Sequence, residues 1–335
     1  MANYKDIQGK TVKSYTSDPS NSYGAGFEGQ LYYNSSDGQF KYQTLGVGAW
    51  ASGGNLNTAG RNRGGAGTNT AALVFGGLPA PKAITESYDG SSWTEVADLS
   101  TARQSFQNGV GTQTAALYVS GYAVTALTVN VEEWDGSSWT EIANVNTARQ
   151  LAAAGGSTTA AFFASGESPY KDEAEIWNGT AWTEVSEVNT AKAGHAGIGT
   201  STSGQIAGGQ NPSGTKIAQV ENWDGSSWTE TTDHNTSRKS IGGNGTSNTS
   251  SVVFGGDVDP GKSATTEQWD GSSWTEVADL STARSDVNSG GTVGGSSAFS
   301  SFTGGGGVPG SPGVSNATEE WNVPTALKTL TSTNA

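Results

Sequence analysis

The chain contains no cysteine among its 335 residues. Disulfides, thiolate metal sites and a cysteine nucleophile are therefore excluded, and stability cannot depend on the redox compartment. Histidine is almost as scarce. His195 and His234 are the only two, and two imidazoles without an accompanying constellation give no basis for a metal centre or a triad. Charged residues make up 14% of the chain, with 17 Lys and Arg against 31 Asp and Glu, for a formal net charge of −14. Because the few cations form no basic cluster, neither nucleic acid nor an anionic membrane surface is an expected partner. No apolar run approaches bilayer-spanning length, and the opening Met-Ala-Asn-Tyr-Lys-Asp has no apolar leader core. Membrane insertion and signal-directed secretion are thus not expected. Nor does any segment carry an apolar 3.6-residue period long enough for a helix of consequence.

Glycine and tryptophan, by contrast, are plentiful, at 49 and 11 residues. All eleven tryptophans fall into one frame, in which an aromatic and four turn residues precede a Trp. The frame reads Tyr88-Asp-Gly-Ser-Ser-Trp93 and returns as Trp134 to Trp139, Trp177 to Trp182, Trp223 to Trp228 and Trp269 to Trp274. Trp50 and Trp321 remain as the two halves of a sixth frame, one near each end. Successive second tryptophans, from Trp50 to Trp274, are 43 or 46 residues apart. Periods of this size mark propellers or solenoids, whose single repeats cannot bury an apolar face alone.

Each repeat reads as four short strands, a to d. A Thr-Ala-Arg element such as Thr101-Ala102-Arg103 leads into a small-residue strand a. An apolar strand b closing on glycine follows, as in Ala72-Leu-Val-Phe-Gly-Gly77. After a loop come a Glu-x-aromatic strand c, the Asp-Gly turn and the Trp-Thr-Glu strand d. Asp-Gly between aromatic-bearing strands is a strong hairpin signal, because glycine supplies the positive φ the turn needs. The expected class is all-β, with six blades over residues 46–323. The strand at Trp50 should pair with the strand at Trp321, removing two exposed edges. Several of the glutamates two residues before each c aromatic (Glu86, Glu132, Glu175, Glu221, Glu267, Glu319) should meet the cation that follows strand d in a repeated ring of ion pairs. The cations are Arg61 or Arg63, then Arg103, Arg149, Lys192, Arg238 and Arg284, with bidentate geometry expected for arginine.

Glycine at the end of strand b, the Glu-x-aromatic strand and the second Trp after the turn resemble kelch repeats over roughly residues 50 to 321, which implies a β-propeller. Residues 1–45 lie outside the repeat and read as an irregular lead followed by a hairpin over Gly29–Tyr42, carrying Leu31, Tyr32, Tyr33, Phe40 and Tyr42. This arm is similar to the short module that precedes repeats in structural proteins of tailed phages, especially marine ones. With the Trp-Asp-Gly-Ser-Ser-Trp blades, the resemblance implies a non-enzymatic virion component: tail-fibre, tail-associated or capsid-decorating, assembled in the host cytoplasm. The implied partners are other virion proteins through the arm, with a host-surface glycan as the alternative and homo-oligomerisation within the particle compatible. Residues 324–335 read as a C-terminal tail.

Several chemical readings compete with the structural one. Gly256-Asp-Val-Asp-Pro-Gly261-Lys262-Ser263 matches the P-loop pattern, yet strand c arrives at once where a P-loop needs a helix, and Asp257 and Asp259 would repel phosphate. The two aspartates could instead ligate Ca²⁺, although two carboxylates make a thin shell. The copper site of propeller oxidases fails for want of cysteine and imidazoles. Paired carboxylates for glycoside hydrolysis stay open, but acids that recur in every blade argue for structure. No cofactor, metal or catalytic residue is expected. All the frame aromatics, Trp50, Tyr88, Trp93, Trp134, Trp139, Trp177, Trp182, Trp223, Trp228, Trp269, Trp274 and Trp321, read as structural. Recognition should sit in the variable b–c loops, where Lys82, Tyr122, Tyr170, Lys171, Asn211, Lys216, Asp257 and Asp259 are the candidate contacts.

Overall fold

The computed structural model describes residues 13–16, 31–45, 47–105, 107–167, 169–289, 301–309, 313–323 and 325–330. Among them there is no helix, and the chain is built of short strands. They fall into two compact units, one drawn from the two ends, within 1–48 and 323–335, and one within 49–322.

The larger unit holds six four-stranded antiparallel sheets. In the first, strands a to d are Gly64–Thr68, Ala71–Phe75, Thr85–Tyr88 and Trp93–Val96. The second comprises Gly109–Thr112, Ala115–Val119, Val131–Trp134 and Trp139–Ile142; the third, Ala153–Gly156, Ala161–Ala164, Ala174–Trp177 and Trp182–Val185. The fourth has Ala196–Thr200, Ser203–Ala207, Val220–Trp223 and Trp228–Thr231, and the fifth Gly242–Ser247, Ser250–Phe254, Thr266–Trp269 and Trp274–Glu276. The sixth is shared between distant parts of the sequence: Asn288–Ser289, Ser301–Gly304 and Thr318–Asn322 are completed by Ala49–Ser52. There Trp321 stands opposite Trp50, as the split frame requires. The a strands touch in succession from the first sheet to the sixth, and the sixth touches the first.

Burial follows from the strand sequences. Strands b are buried along nearly their whole length, whereas strands d bury the Trp and expose the following Thr and Glu. In every sheet the c and d aromatics face each other, with ring centroids 4.8 Å apart for Tyr88 and Trp93 and 5.3 to 5.5 Å apart for the five Trp–Trp pairs. Separations of this size gain electrostatic attraction beyond the area buried.

The smaller unit is one mixed sheet. The expected hairpin is present as Leu31–Asn34 against Gln39–Leu45, with Tyr33 opposite Phe40 and Leu31 opposite Tyr42. Its expected start at Gly29 lies outside the described residues. Gly38, at φ +73°, closes the turn and donates its N–H to Asn34 O at 2.9 Å. Two strands join that the sequence reading did not supply. Lys13–Tyr15, read as part of an irregular lead, pairs in parallel with Leu31–Asn34. Thr325–Thr329, read as tail, pairs antiparallel with Gln39–Leu45. Tyr32 is buried and packs edge-on against Tyr15 at 5.8 Å.

Candidate interaction face

Six glutamates and six cations meet as six pairs, all buried. Glu86 pairs with Arg63, Glu132 with Arg103, Glu175 with Arg149, Glu221 with Lys192, Glu267 with Arg238 and Glu319 with Arg284. Arg61, the alternative partner for Glu86, instead contacts Asp286 at 3.3 Å. The expected bidentate fork does not form. Each arginine gives the carboxylate a single hydrogen bond and donates elsewhere to backbone carbonyls, while the buried Nε of Arg63, Arg103, Arg149 and Arg238 finds no partner. Arg103 Nη2 donates to Tyr118 O at 3.0 Å, and Arg238 Nη1 donates to Gly255 O and Thr265 O. The other carboxylate oxygen accepts from the d–a connection, as where Asn146 N and Asn189 N donate to Glu175 Oε2 and Glu221 Oε2 at 2.8 and 2.7 Å. Each pair therefore clamps the incoming connection onto strand c of the sheet that follows. Burial pulls Lys192, Arg63, Arg149, Arg238 and Arg284 below their ordinary pKa values, and the facing glutamate works against that pull.

The d tryptophans reach into the preceding sheet. Trp50, Trp93 and Trp139 donate Nε1–H to the hydroxyls of Thr266, Thr318 and Thr85, each the first residue of a c strand. In the second and third sheets that position is Val131 and Ala174, and the buried Nε1 groups of Trp182 and Trp228 find no partner. Val131 packs in one cluster with Trp182. A hydroxyl placed there should satisfy the indole, so Val131→Thr is expected to raise stability by about 0.5–1.5 kcal/mol. Thr85→Val, which orphans Trp139, is expected to lower it by about 1–3 kcal/mol. Urea unfolding of both variants checks the pair, and a stabilised Thr85→Val protein would contradict the argument.

The b–c loops and the d–a connections share one end of the sheets. Strand b ends in two residues of positive φ. At the second of these stand Gly77, Gly121, Gly166, Gly209, Gly256 and Gly306, with φ between +104° and +116°. There the backbone needs glycine, and the N–H so aimed donates to the next connection: Gly77 to Arg103 O, Gly121 to Arg149 O, Gly166 to Lys192 O, Gly209 to Arg238 O and Gly256 to Arg284 O. Gly306 donates to Gly60 O, which returns the series to its start. Where the first position is serine, the hydroxyl adds bonds, as Ser120 Oγ does to Thr128 O and Arg149 O.

This end also gathers every cation of the larger unit that is not in a buried pair: Arg61, Lys82, Lys171, Lys216, Lys239 and Lys262. The outer strands and c–d turns carry acids only. Tyr122 lies in a two-residue strand paired with Gln104 and is half-buried, as is Tyr170, whose hydroxyl burial pushes up in pKa. Lys82 bridges to Arg103 through the backbone, and Lys171 pairs with Glu173 at 3.0 Å. Asn211 Oδ1 accepts from Ser213 N and Thr215 N and so holds its own loop. Lys216 reaches across to Asp259 at 2.7 Å and to Val258 O at 2.8 Å. Beside it opens a groove of about 370 Å³ lined by Asn211, Lys216, Gln219, Glu230 and Asp233 among others.

The chemical alternatives can be weighed against these positions. Lys262, the P-loop lysine by pattern, donates to Asp257 and Ser285, and the segment runs straight into the strand Thr266–Trp269. Asp257 pairs with the Lys262 ammonium at 3.4 Å and Asp259 with that of Lys216 at 2.7 Å, so each carboxylate already has a counter-charge. Among the described residues no group of three or more His, Asp or Glu side chains could hold a metal ion. Both histidines are buried, and burial drives their pKa values down to about 3, so they are neutral at ordinary pH. The exposed turn aspartates Asp89, Asp135, Asp224 and Asp270 lie at about 2, because backbone and serine donors surround each carboxylate.

In the smaller unit the arm aromatics work within their own sheet, with Tyr33 and Phe40 5.1 Å apart. Sequence reasoning missed the residues Asn146 and Asn189, whose side chains tie the connections to Trp182 O and Trp228 O. Their signal was the Asn-Thr that recurs before the Arg or Lys element. No family model matches this sequence, and no curated protein matches it either.

Proposed function

We propose that the six sheets are the blades of a closed, six-bladed, kelch-like β-propeller, and that the protein is a non-enzymatic structural component of a tailed-phage particle, tail-associated or capsid-decorating. The propeller reading is supported by the sixth sheet drawn from both ends of the repeat region, by the contact of sixth and first a strands, and by the Gly306–Gly60 bond. The virion reading rests on the resemblance of the arm module together with the Trp-Asp-Gly-Ser-Ser-Trp repeats.

A division of labour carries the functional reading. The recurrent Trp, Glu and Arg side chains are engaged in packing and register, which leaves the variable b–c loops and the separate terminal sheet to meet partners. That sheet is the proposed anchor. Its outer strands, Lys13–Tyr15 and Thr325–Thr329, each have one neighbour among the described residues, an arrangement suited to strand addition by another virion protein. The b–c loop face is then displayed for protein or host-surface contact. A glycan-attachment role is the second reading: the groove beside Lys216 offers hydrogen-bonding groups to a hydroxyl-rich ligand but has no aromatic platform among the residues that line it.

Mass spectrometry of purified particles should detect the full-length chain. Its absence would overturn the virion reading. A truncation to residues 49–322 should remain soluble, melt cooperatively and be missing from particles, whereas normal incorporation would move the anchor to the propeller. Removing residues 1–45 alone is the weaker test, because it strands Thr325–Thr329 without its pairing partner.

A further inference from the structure

Three Asn-Gly pairs occur in the larger unit: Asn108-Gly109, Asn178-Gly179 and Asn244-Gly245. Asparagine followed by glycine is chemically labile, because a glycine nitrogen without a neighbouring Cβ can reach the asparagine side-chain carbonyl. The fold treats the three differently. Asn108 and Asn244 are buried. Asn108 Nδ2, the group that would have to leave, donates to Val119 O at 2.8 Å, while Gly245 N, which would have to attack, donates to Asn244 Oδ1 at 2.6 Å. Asn178 is exposed in the c–d turn of the third sheet. Its Oδ1 accepts from Thr180 N and Ala181 N at 2.9 Å. Neither its Nδ2 nor the Gly179 N–H has a hydrogen-bond partner among the described residues. Both atoms the reaction needs are free, and water has access.

We propose that Asn178 is a site of spontaneous deamidation, and the only one of the three Asn-Gly pairs to react in the folded protein. The Gly179 backbone nitrogen, giving up its proton to solvent base, attacks Asn178 Cγ. A C–N bond forms as the bond to Nδ2 breaks, and the side-chain nitrogen takes up a proton and leaves as ammonia. Water then opens the cyclic imide at one of its two carbonyls, adding OH to carbon and H to nitrogen. Opening at the main-chain carbonyl gives the isoaspartyl linkage, and opening at Cγ gives aspartate. No oxidant or co-reactant is involved. Aspartate is what the sister turns carry at this place, in Asp89, Asp135, Asp224 and Asp270, and there the carboxylate accepts the same two backbone N–H groups. The aspartyl product therefore restores the common turn, while the isoaspartyl product inserts an extra backbone carbon into it.

The test is incubation of the full-length native protein at mildly alkaline pH, followed by peptide mapping with mass spectrometry. Heavy-oxygen water marks the incoming oxygen. Conversion is expected to be at least about tenfold faster at Asn178 than at Asn108 or Asn244, the ratio that separates barriers by about 1.4 kcal/mol. In denaturant the three sites should converge. Asn178→Asp should fold and melt as the parent does and release no ammonia from position 178. An unreacted Asn178, or equal rates at all three sites in the native state, would overturn the proposal.

Discussion

Glu132→Gln is expected to destabilise the protein by about 3–5 kcal/mol, the range seen when one partner of a buried pair is removed. The carboxylate lies within the fold, fully buried, as does Arg103. It accepts from Arg103 Nη1, from Ser100 N and Oγ at 2.7 and 2.6 Å, and from Thr101 N. Replacing one oxygen with an amide NH2 sets a donor against donors and leaves the guanidinium without a counter-charge, held over the Tyr118 ring at 4.5 Å. Glu173→Gln provides the contrast. Its pair with Lys171 is about a quarter exposed on both sides, where such pairs contribute about 0–1 kcal/mol. Urea unfolding of both variants measures the gap, and equal losses would show that the six buried pairs are no more important than surface ones. Replacing Glu132 and Arg103 together with apolar residues removes the unpaired charge but should not restore full stability, since Ser100 N and Thr101 N lose their acceptor.

How far the fold was legible depended on whether the signal repeated. The Trp frames gave the c–d hairpins to the residue, because an aromatic at each end of an Asp-Gly turn fixes register, as Trp134 opposite Trp139 illustrates. The Glu–cation pairs were legible for the same reason: six copies of one spacing point to one contact. The geometry of those pairs was not, because the carbonyls that draw off the second guanidinium nitrogen, such as Tyr118 O, belong to backbone whose position no side-chain pattern reveals. Strands without a repeat were hidden. Thr325–Thr329 pairs with residues some 280 positions earlier, and five residues reading Thr-Ala-Leu-Lys-Thr carry too little alternation to announce a strand. Lys13–Tyr15 is shorter still. On the candidate face, Lys216 and Lys262 could be named from the loops. That Lys216 would answer Asp259 depended on how neighbouring b–c loops lie side by side, and that Lys262 would answer Asp257 on how one loop folds back on itself.

Gly197→Ala is expected to cost near the upper end of the 1–3 kcal/mol, roughly, that overpacking of a tight interior brings. Its backbone φ is not in the left-handed region, so space alone decides. A Cβ at position 197 would meet Ala154 O at 2.5 Å, Ala154 N at 2.8 Å and Ala153 Cβ at 2.9 Å. Two of these three are backbone atoms of the neighbouring a strand, which cannot swing aside as a side chain can. Gly109 stands in the same relation to the first sheet, its Cβ meeting Gly65 O at 2.5 Å and Gly65 N at 2.6 Å. Where four of the a strands converge, the space left holds about 20 Å³, room for a single water at most. The glycines of these a strands thus let neighbouring sheets approach closely, and a methyl group at position 197 must push two of them apart. The effect should appear as a lower denaturation midpoint with an unchanged m-value, since the surface exposed on unfolding stays the same. A Gly197→Ala protein as stable as the parent would mean that the neighbouring a strands have slack.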